Sequence, residues 1–118
     1  MKYISIDGDD VGRKITACYL SNNEKKLELI STNLEKATVA IAELLSSKGF
    51  DIIFRAADGV VAKTEYDCNF TELFLDMSLI PTYDITFSAG VGETLREAYV
   101  ALLSSKSNGK NRISIYAD

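Results

Sequence analysis

Histidine and tryptophan are missing from this sequence, proline occurs once, and cysteine twice in 118 residues. Without histidine there is no imidazole general base, which removes the serine and cysteine triads that depend on one and most zinc and non-haem iron sites. Chemistry falls to carboxylates, Lys, Arg and bound metal. Cys18 and Cys68 stand far apart with no CxxC spacing, which supports neither a zinc ribbon nor a disulfide framework and reads as two reduced, half-buried fillers. Positive charge is also short: 13 Lys and Arg against 17 Asp and Glu give a net charge of -4 and a pI near 4.8, against a broad electrostatic footprint for DNA or RNA. No apolar run approaches membrane length, and Met1 leads into a strand-like KYISID with no basic, cleavable leader. The expectation is a cytoplasmic chain with no direct nucleic-acid or membrane partner.

What is present suits one globular domain over residues 1–118, with 47% hydrophobic and 25% charged residues. Lys2 to Ile6 alternates polar and apolar residues and stops at Asp7-Gly8, which predicts a first strand. Val11 to Leu20 predicts a helix after Asp9 and Asp10, two residues of the type that caps one. From Glu24 to Lys48, Leu27, Ile30, Leu34, Thr38, Ile41, Leu44 and Leu45 recur at helical spacing up to a Gly49 stop. Asp51 to Arg55 and Val60 to Thr64 flank Ala56-Ala57-Asp58-Gly59, a hairpin signal. A short helix from Phe70 to Leu79, a strand from Tyr83 to Val91, a helix from Thr94 to Lys106 and a last strand from Arg112 to Tyr116 complete the chain. This order suits an α+β fold of the ferredoxin-like or palm type, an antiparallel sheet with helices packed on one face. There the first strand lies beside the second strand of the hairpin, so Asp7 and Asp58 should meet at one sheet edge.

Two converging carboxylates with no cation in their own turns are costly unless a metal sits there or one stays protonated. Magnesium, or manganese, is the natural tenant because it takes oxygen ligands, and the Gly8 carbonyl would join Asp7 and Asp58 in holding it. Read blandly, Asp58 is the turn residue of an Asp-Gly hairpin and Asp7 a loop residue. Asp9 and Asp10 read best as caps and dipole partners. The amides of Asp10, Val11 and Gly12 open a helix beside the acidic edge, an arrangement that accepts phosphate. The helix after the fourth strand climbs back toward that edge and delivers Lys106 and Lys110 to it, where they would face metal-bound phosphates or merely answer the helix dipole.

Several segments together resemble the palm domain of the nucleotide cyclase and polymerase superfamily. These are Ile4-Ser5-Ile6-Asp7-Gly8-Asp9-Asp10, Phe54-Arg55-Ala56-Ala57-Asp58-Gly59 at the place of a GGDEF-type hairpin, Phe87-Ser88-Ala89-Gly90-Val91-Gly92, and Lys106 to Asn111. The chain looks most like the minimal CRISPR polymerases. That resemblance implies a nucleotidyltransferase making a cyclic dinucleotide of the cyclic di-AMP type from ATP, in bacterial anti-phage defence. Asp7 and Asp58 would be catalytic through divalent metal, with Gly8 a backbone ligand. Asp10, Val11, Gly12, Ala56, Ala57, Lys106 and Lys110 would contact the nucleotide, and a face-to-face homodimer would supply the second half-site. A GTP cyclohydrolase of the archaeal type, opening the purine ring, and a catalytically silent nucleotide sensor are the alternatives. The family pattern has Gly-Gly where this chain has Ala56-Ala57; if either position needs a positive φ, alanine costs about 1 kcal/mol.

Overall fold

The computed structural model describes residues 1–117. Its elements run β1 (Lys2–Gly8), α1 (Val11–Leu20), α2 (Glu24–Ser47), β2 (Asp51–Arg55), β3 (Gly59–Thr64), α3 (Phe70–Ser78), β4 (Phe87–Gly92), α4 (Leu95–Ser107) and β5 (Ile113–Ile115). The five strands form one sheet in the order β2-β3-β1-β4-β5, antiparallel except for the β4–β5 pair. β1 is central and pairs Ile6 with Val60 and Asp7 with Gly59 on one side, Ile6 with Ala89 and Asp7 with Ser88 on the other. The α+β palm expected from the element order is what the structure contains. No helix among the described residues is long and apolar enough to cross a membrane.

The core follows from strand alternation. Ile4, Ile6, Val60, Ala62, Ala89 and Val91 point to one face, where α2 covers them with Ile30, Leu34, Ile41 and Leu45. The helices do not all pack there, as the sequence reading had them, because α4 lies against the opposite face. The reason is in β4. A Cβ added at Gly90 would stand 2.1 Å from the Leu102 amide nitrogen and 2.3 Å from the Ala98 carbonyl, and one at Gly92 would stand 2.4 Å from Glu97 Cβ. Only glycine leaves room for helix backbone to lie that close to a strand.

The fourth strand also begins later than the apolar pattern suggests, at Phe87 rather than Tyr83. Asp84 is left-handed at φ 56°, which no strand accommodates, and Lys14 of α1 holds this stretch by donating to the Asp84 carbonyl and pairing with its carboxylate at 3.5 Å.

Candidate active site

The carboxyl end of β1 carries Asp7, and the hairpin between β2 and β3 brings Asp58 beside it. The Gly8 amide donates to the Asp58 carbonyl at 2.9 Å, and the Ala56 amide closes the turn onto the Gly59 carbonyl at 2.9 Å. Gly59 makes the close approach possible: a Cβ there would stand 2.7 Å from the Ile6 carbonyl and 3.4 Å from Asp7 Oδ1. Burial lifts the Asp7 carboxyl above its ordinary pKa; the Lys106 ammonium works against that shift, and the charges of Asp58 and Asp9 add to it.

α4 returns to this edge as the sequence order requires. Lys106 in its last turn donates to the Gly8 carbonyl at 2.8 Å and to Asp9 Oδ1 at 2.9 Å, and stands 3.2 Å from Asp7 Oδ2. Burial alone would lower the Lys106 pKa, but its hydrogen bond to Asp9 and the Asp7 charge outweigh that and raise it. Lys110 reaches the same edge and pairs with Asp10, whose carboxylate also lies 3.5 Å from Arg13. The hydrogen bond from Lys110 is the main cause holding the Asp10 carboxyl below its ordinary value.

The reading of Asp9 and Asp10 as helix caps is corrected. Asp10 occupies the N-cap position of α1 in a left-handed conformation at φ 58 and makes no side-chain cap hydrogen bond. Asp9 turns inward and is only 3% exposed. Its carboxylate accepts from Ser88 Oγ and Thr86 Oγ1, both at 2.7 Å, from Lys106, and from the Asn111 amide at 3.0 Å. Burial opposes its ionisation, yet these donors together hold its pKa below the ordinary value. Asp9 thus ties β1, β4, α4 and the segment after α4 together. A sequence signal existed: Ser88 precedes the Gly90 seat on a strand otherwise apolar enough to be core, and a buried hydroxyl there needs an acceptor.

α2, α3 and α4 begin with side-chain caps from Asn23, Asn69 and Thr94. At α1 the two carboxylates are spent elsewhere, so the amides of Asp10, Val11 and Gly12 open beside Asp7 without one. Gly12 has no atom within 4 Å of where a Cβ would lie. After α4, Gly109, Lys110 and Asn111 all take positive φ, at 114, 64 and 48°. The Lys110 amide donates to the Ser105 carbonyl at 3.0 Å, and the Asn111 amide to Asp9 and Ser88, which over-determines this costly turn.

Ala56 and Ala57 do not have positive φ, so the backbone strain considered for them is absent. They open to different grooves. Ala56 joins Asp7, Asp58, Tyr99, Leu103 and Lys106 around one of about 420 Å³ on the α4 face. Ala57 faces one of about 500 Å³ between α1 and α2, bounded by Ile15, Leu27, Ile30, Ser31 and Glu35.

The donor set at the edge is all oxygen: two carboxylates and the Gly8 carbonyl, with a cation already drawn to two of them through Lys106. It fits a hard divalent ion in chemistry and charge.

This sheet, with an acidic pair at the β1 end and lysines returning from α4, defines a nucleotide cyclase and polymerase palm domain. The backbone is similar to the active GGEEF domain of a diguanylate cyclase from Vibrio cholerae, with TM-score 0.66 and 18% identity over 99% of this chain and 83% of that one. It is also similar to the GGDEF domain of DgcB from Caulobacter crescentus in complex with c-di-GMP, with TM-score 0.67 and 12% identity over 98% and 77% of the two chains. A third similar fold is the GGDEF domain of PA1120 from Pseudomonas aeruginosa, with TM-score 0.67 and 11% identity over 98% and 76%. No curated protein matches the sequence. Residues 3–116 match the minimal CRISPR polymerase domain, and the chain belongs to that family.

Proposed function

We propose that this protein is a divalent-metal-dependent nucleotidyltransferase that joins two nucleoside triphosphates, ATP favoured, into a cyclic dinucleotide of the cyclic di-AMP type. The observation that carries the reading is the meeting of Asp7, Asp58, Lys106 and Lys110 at one sheet edge beside the uncapped start of α1. Asp7, Asp58 and the Gly8 carbonyl would hold magnesium or manganese. Such an ion lowers the pKa of an attacking ribose hydroxyl and neutralises phosphate charge.

The rest falls to the chain itself. The amides of Asp10, Val11 and Gly12 receive phosphate oxygens at the positive end of α1. Lys106 and Lys110 exchange their carboxylate partners for the β and γ phosphates and steady the leaving pyrophosphate. Ala57 and the groove between α1 and α2 offer an apolar wall to a base. One palm presents one such half-site, so a two-nucleotide product calls for a face-to-face homodimer. Membership of a CRISPR polymerase family supports a place in bacterial anti-phage defence, and the reaction belongs in the cytoplasm, where nucleoside triphosphates are made.

Incubation with each nucleoside triphosphate and magnesium, followed by product analysis, tests the reading. ATP is expected to give pyrophosphate and a cyclic dinucleotide. A ring-opened purine would reassign the site to cyclohydrolase chemistry, and nucleotide bound but unchanged would make the protein a sensor.

A further inference from the structure

Lys106 does more at this edge than wait for phosphate. Its ammonium lies 2.8 Å from the Gly8 carbonyl, 3.2 Å from Asp7 Oδ2 and 3.4 Å from the Asp7 carbonyl. The Asp7 carboxylate and the Gly8 carbonyl are two of the three donor groups that the proposed site offers a divalent ion. A lysine ammonium carries three N–H donors and a full positive charge, so it satisfies these oxygens much as a cation would. A divalent ion on the same oxygens would stand beside the ammonium, and the repulsion between the two cations favours its departure.

Lys110 is the internal contrast. It comes from the same chain segment and bears the same charge, but its partner is Asp10, which is not among those donors. Asp9 gives Lys106 somewhere to pivot: its Oδ1 accepts the ammonium at 2.9 Å and is fixed in turn by Ser88. Lys106 can therefore give up Asp7 and Gly8 while keeping one buried anchor.

We propose that Lys106 is an exchangeable internal counter-ion of Asp7 and Gly8, competing with the divalent ion for those oxygens until the phosphate chain of a nucleotide draws it aside. This rests on the metal reading of the preceding subsection. Its consequence is thermodynamic coupling. Anything that takes Lys106 away tightens the metal, and the metal in turn releases Lys106 to meet phosphate, by the same factor in both directions. The edge then loads metal and nucleotide together rather than metal alone.

The test uses Mg2+ without nucleotide. In ¹⁵N-labelled protein a hydrogen-bonded lysine ammonium exchanges slowly with water and gives its own resonance, which Lys106→Met assigns by removing it. Saturating Mg2+ is expected to shift that resonance as the ammonium gives up Asp7 and Gly8 and keeps Asp9. Calorimetric titration is expected to show Lys106→Met binding Mg2+ about fivefold or more tightly than the parent, within the usual range of couplings between sites. Lys110→Met, which removes the same charge from the same edge, is expected to change Mg2+ affinity by clearly less.

Mg2+ binding that leaves the Lys106 resonance unmoved overturns the exchange and leaves the metal site standing. So does an equal gain from both variants, since it would mark simple charge repulsion. If neither the parent nor Lys106→Met binds Mg2+, the metal reading itself fails and the exchange fails with it. The change is read in the parent protein, and Lys106→Arg assigns the resonance equally by removing the ammonium, so the proposal remains exposed to failure even if Lys106→Met does not fold.

Discussion

On one side of the candidate site, the β1–α1 turn and the segment after α4 are joined by buried side chains; on the other, the hairpin tip at Ala56–Asp58 rests on two main-chain hydrogen bonds. The first side places Asp9 at 3% exposure under four donors, whereas β2 leads into the hairpin with Phe54 58% exposed. The first side is set by a network whose members fail together, which suits groups that must hold charge at fixed places. The second is a turn held by fewer contacts, which under the proposed function suits the side that admits a nucleotide.

Asp7→Asn should separate chemistry from architecture most sharply. It keeps the shape of the strand end but removes the charge that a divalent ion needs, so pyrophosphate release should fall by on the order of a hundredfold or more while the circular dichroism spectrum stays unchanged. Retained magnesium-dependent turnover would remove Asp7 from the metal site.

Asp9→Asn strikes the network instead. Removing one member of a buried charged cluster should cost about 2–4 kcal/mol in urea unfolding. The Asp9 carboxyl is held below its ordinary pKa, so its contribution is present above the ordinary carboxylate range and fades as pH falls through the folded value. The parent should therefore lose stability on acidification more steeply than Asp9→Asn. A loss under 1 kcal/mol with parallel acid limbs would mean that the four hydrogen bonds are not what fixes this side.

Lys110→Ala should cut affinity for a non-hydrolysable triphosphate about tenfold, the worth of one charge-assisted hydrogen bond, and leave monophosphate binding nearly alone. Equal losses for both ligands, measured by calorimetry, would place Lys110 away from the β and γ phosphates.

The smallest effect belongs to the hairpin side. Since Ala56 and Ala57 have no positive φ, replacing both by Gly relieves no strain and adds unfolded-state entropy. Stability should drop by about 1–2 kcal/mol for the pair, with turnover changed less than about twofold. A large gain in pyrophosphate release would show that the methyl groups crowd the nucleotide.

Much of this arrangement is legible in the sequence because local signals carry it. The alternation ending at Asp7, the Asp-Gly between two β-rich runs and the heptad-like apolar spacing of α2 each fix an element, and their order alone puts Asp7 beside Asp58. What escaped at Asp9 depends on contacts with residues 77 to 102 positions away. Asp9 looks like a cap because Asp before a helix usually is one; nothing local reveals that Ser88, Thr86 and Asn111 will surround it. The place of α4 was written in Gly90 and Gly92, but glycine in a strand can equally mark a bulge, and only the seated helix decides between the two. The start of β4 was misread because Asp84 breaks the strand through a left-handed backbone that Asp can adopt and apolar pattern does not register.

The central position of β1 bears on how the molecule comes to be folded. This strand leaves the ribosome before both neighbours that pair with it, β3 from Gly59 and β4 from Phe87. Translation supplies residues at about 5–20 per second, so Ile4 and Ile6 spend seconds without their sheet partners while α1 and α2 can already form. Such distant pairings slow folding relative to a helical chain of similar size. The candidate site, which needs the end of β1, the hairpin and the last turn of α4 at once, is therefore assembled only after Lys106 has emerged.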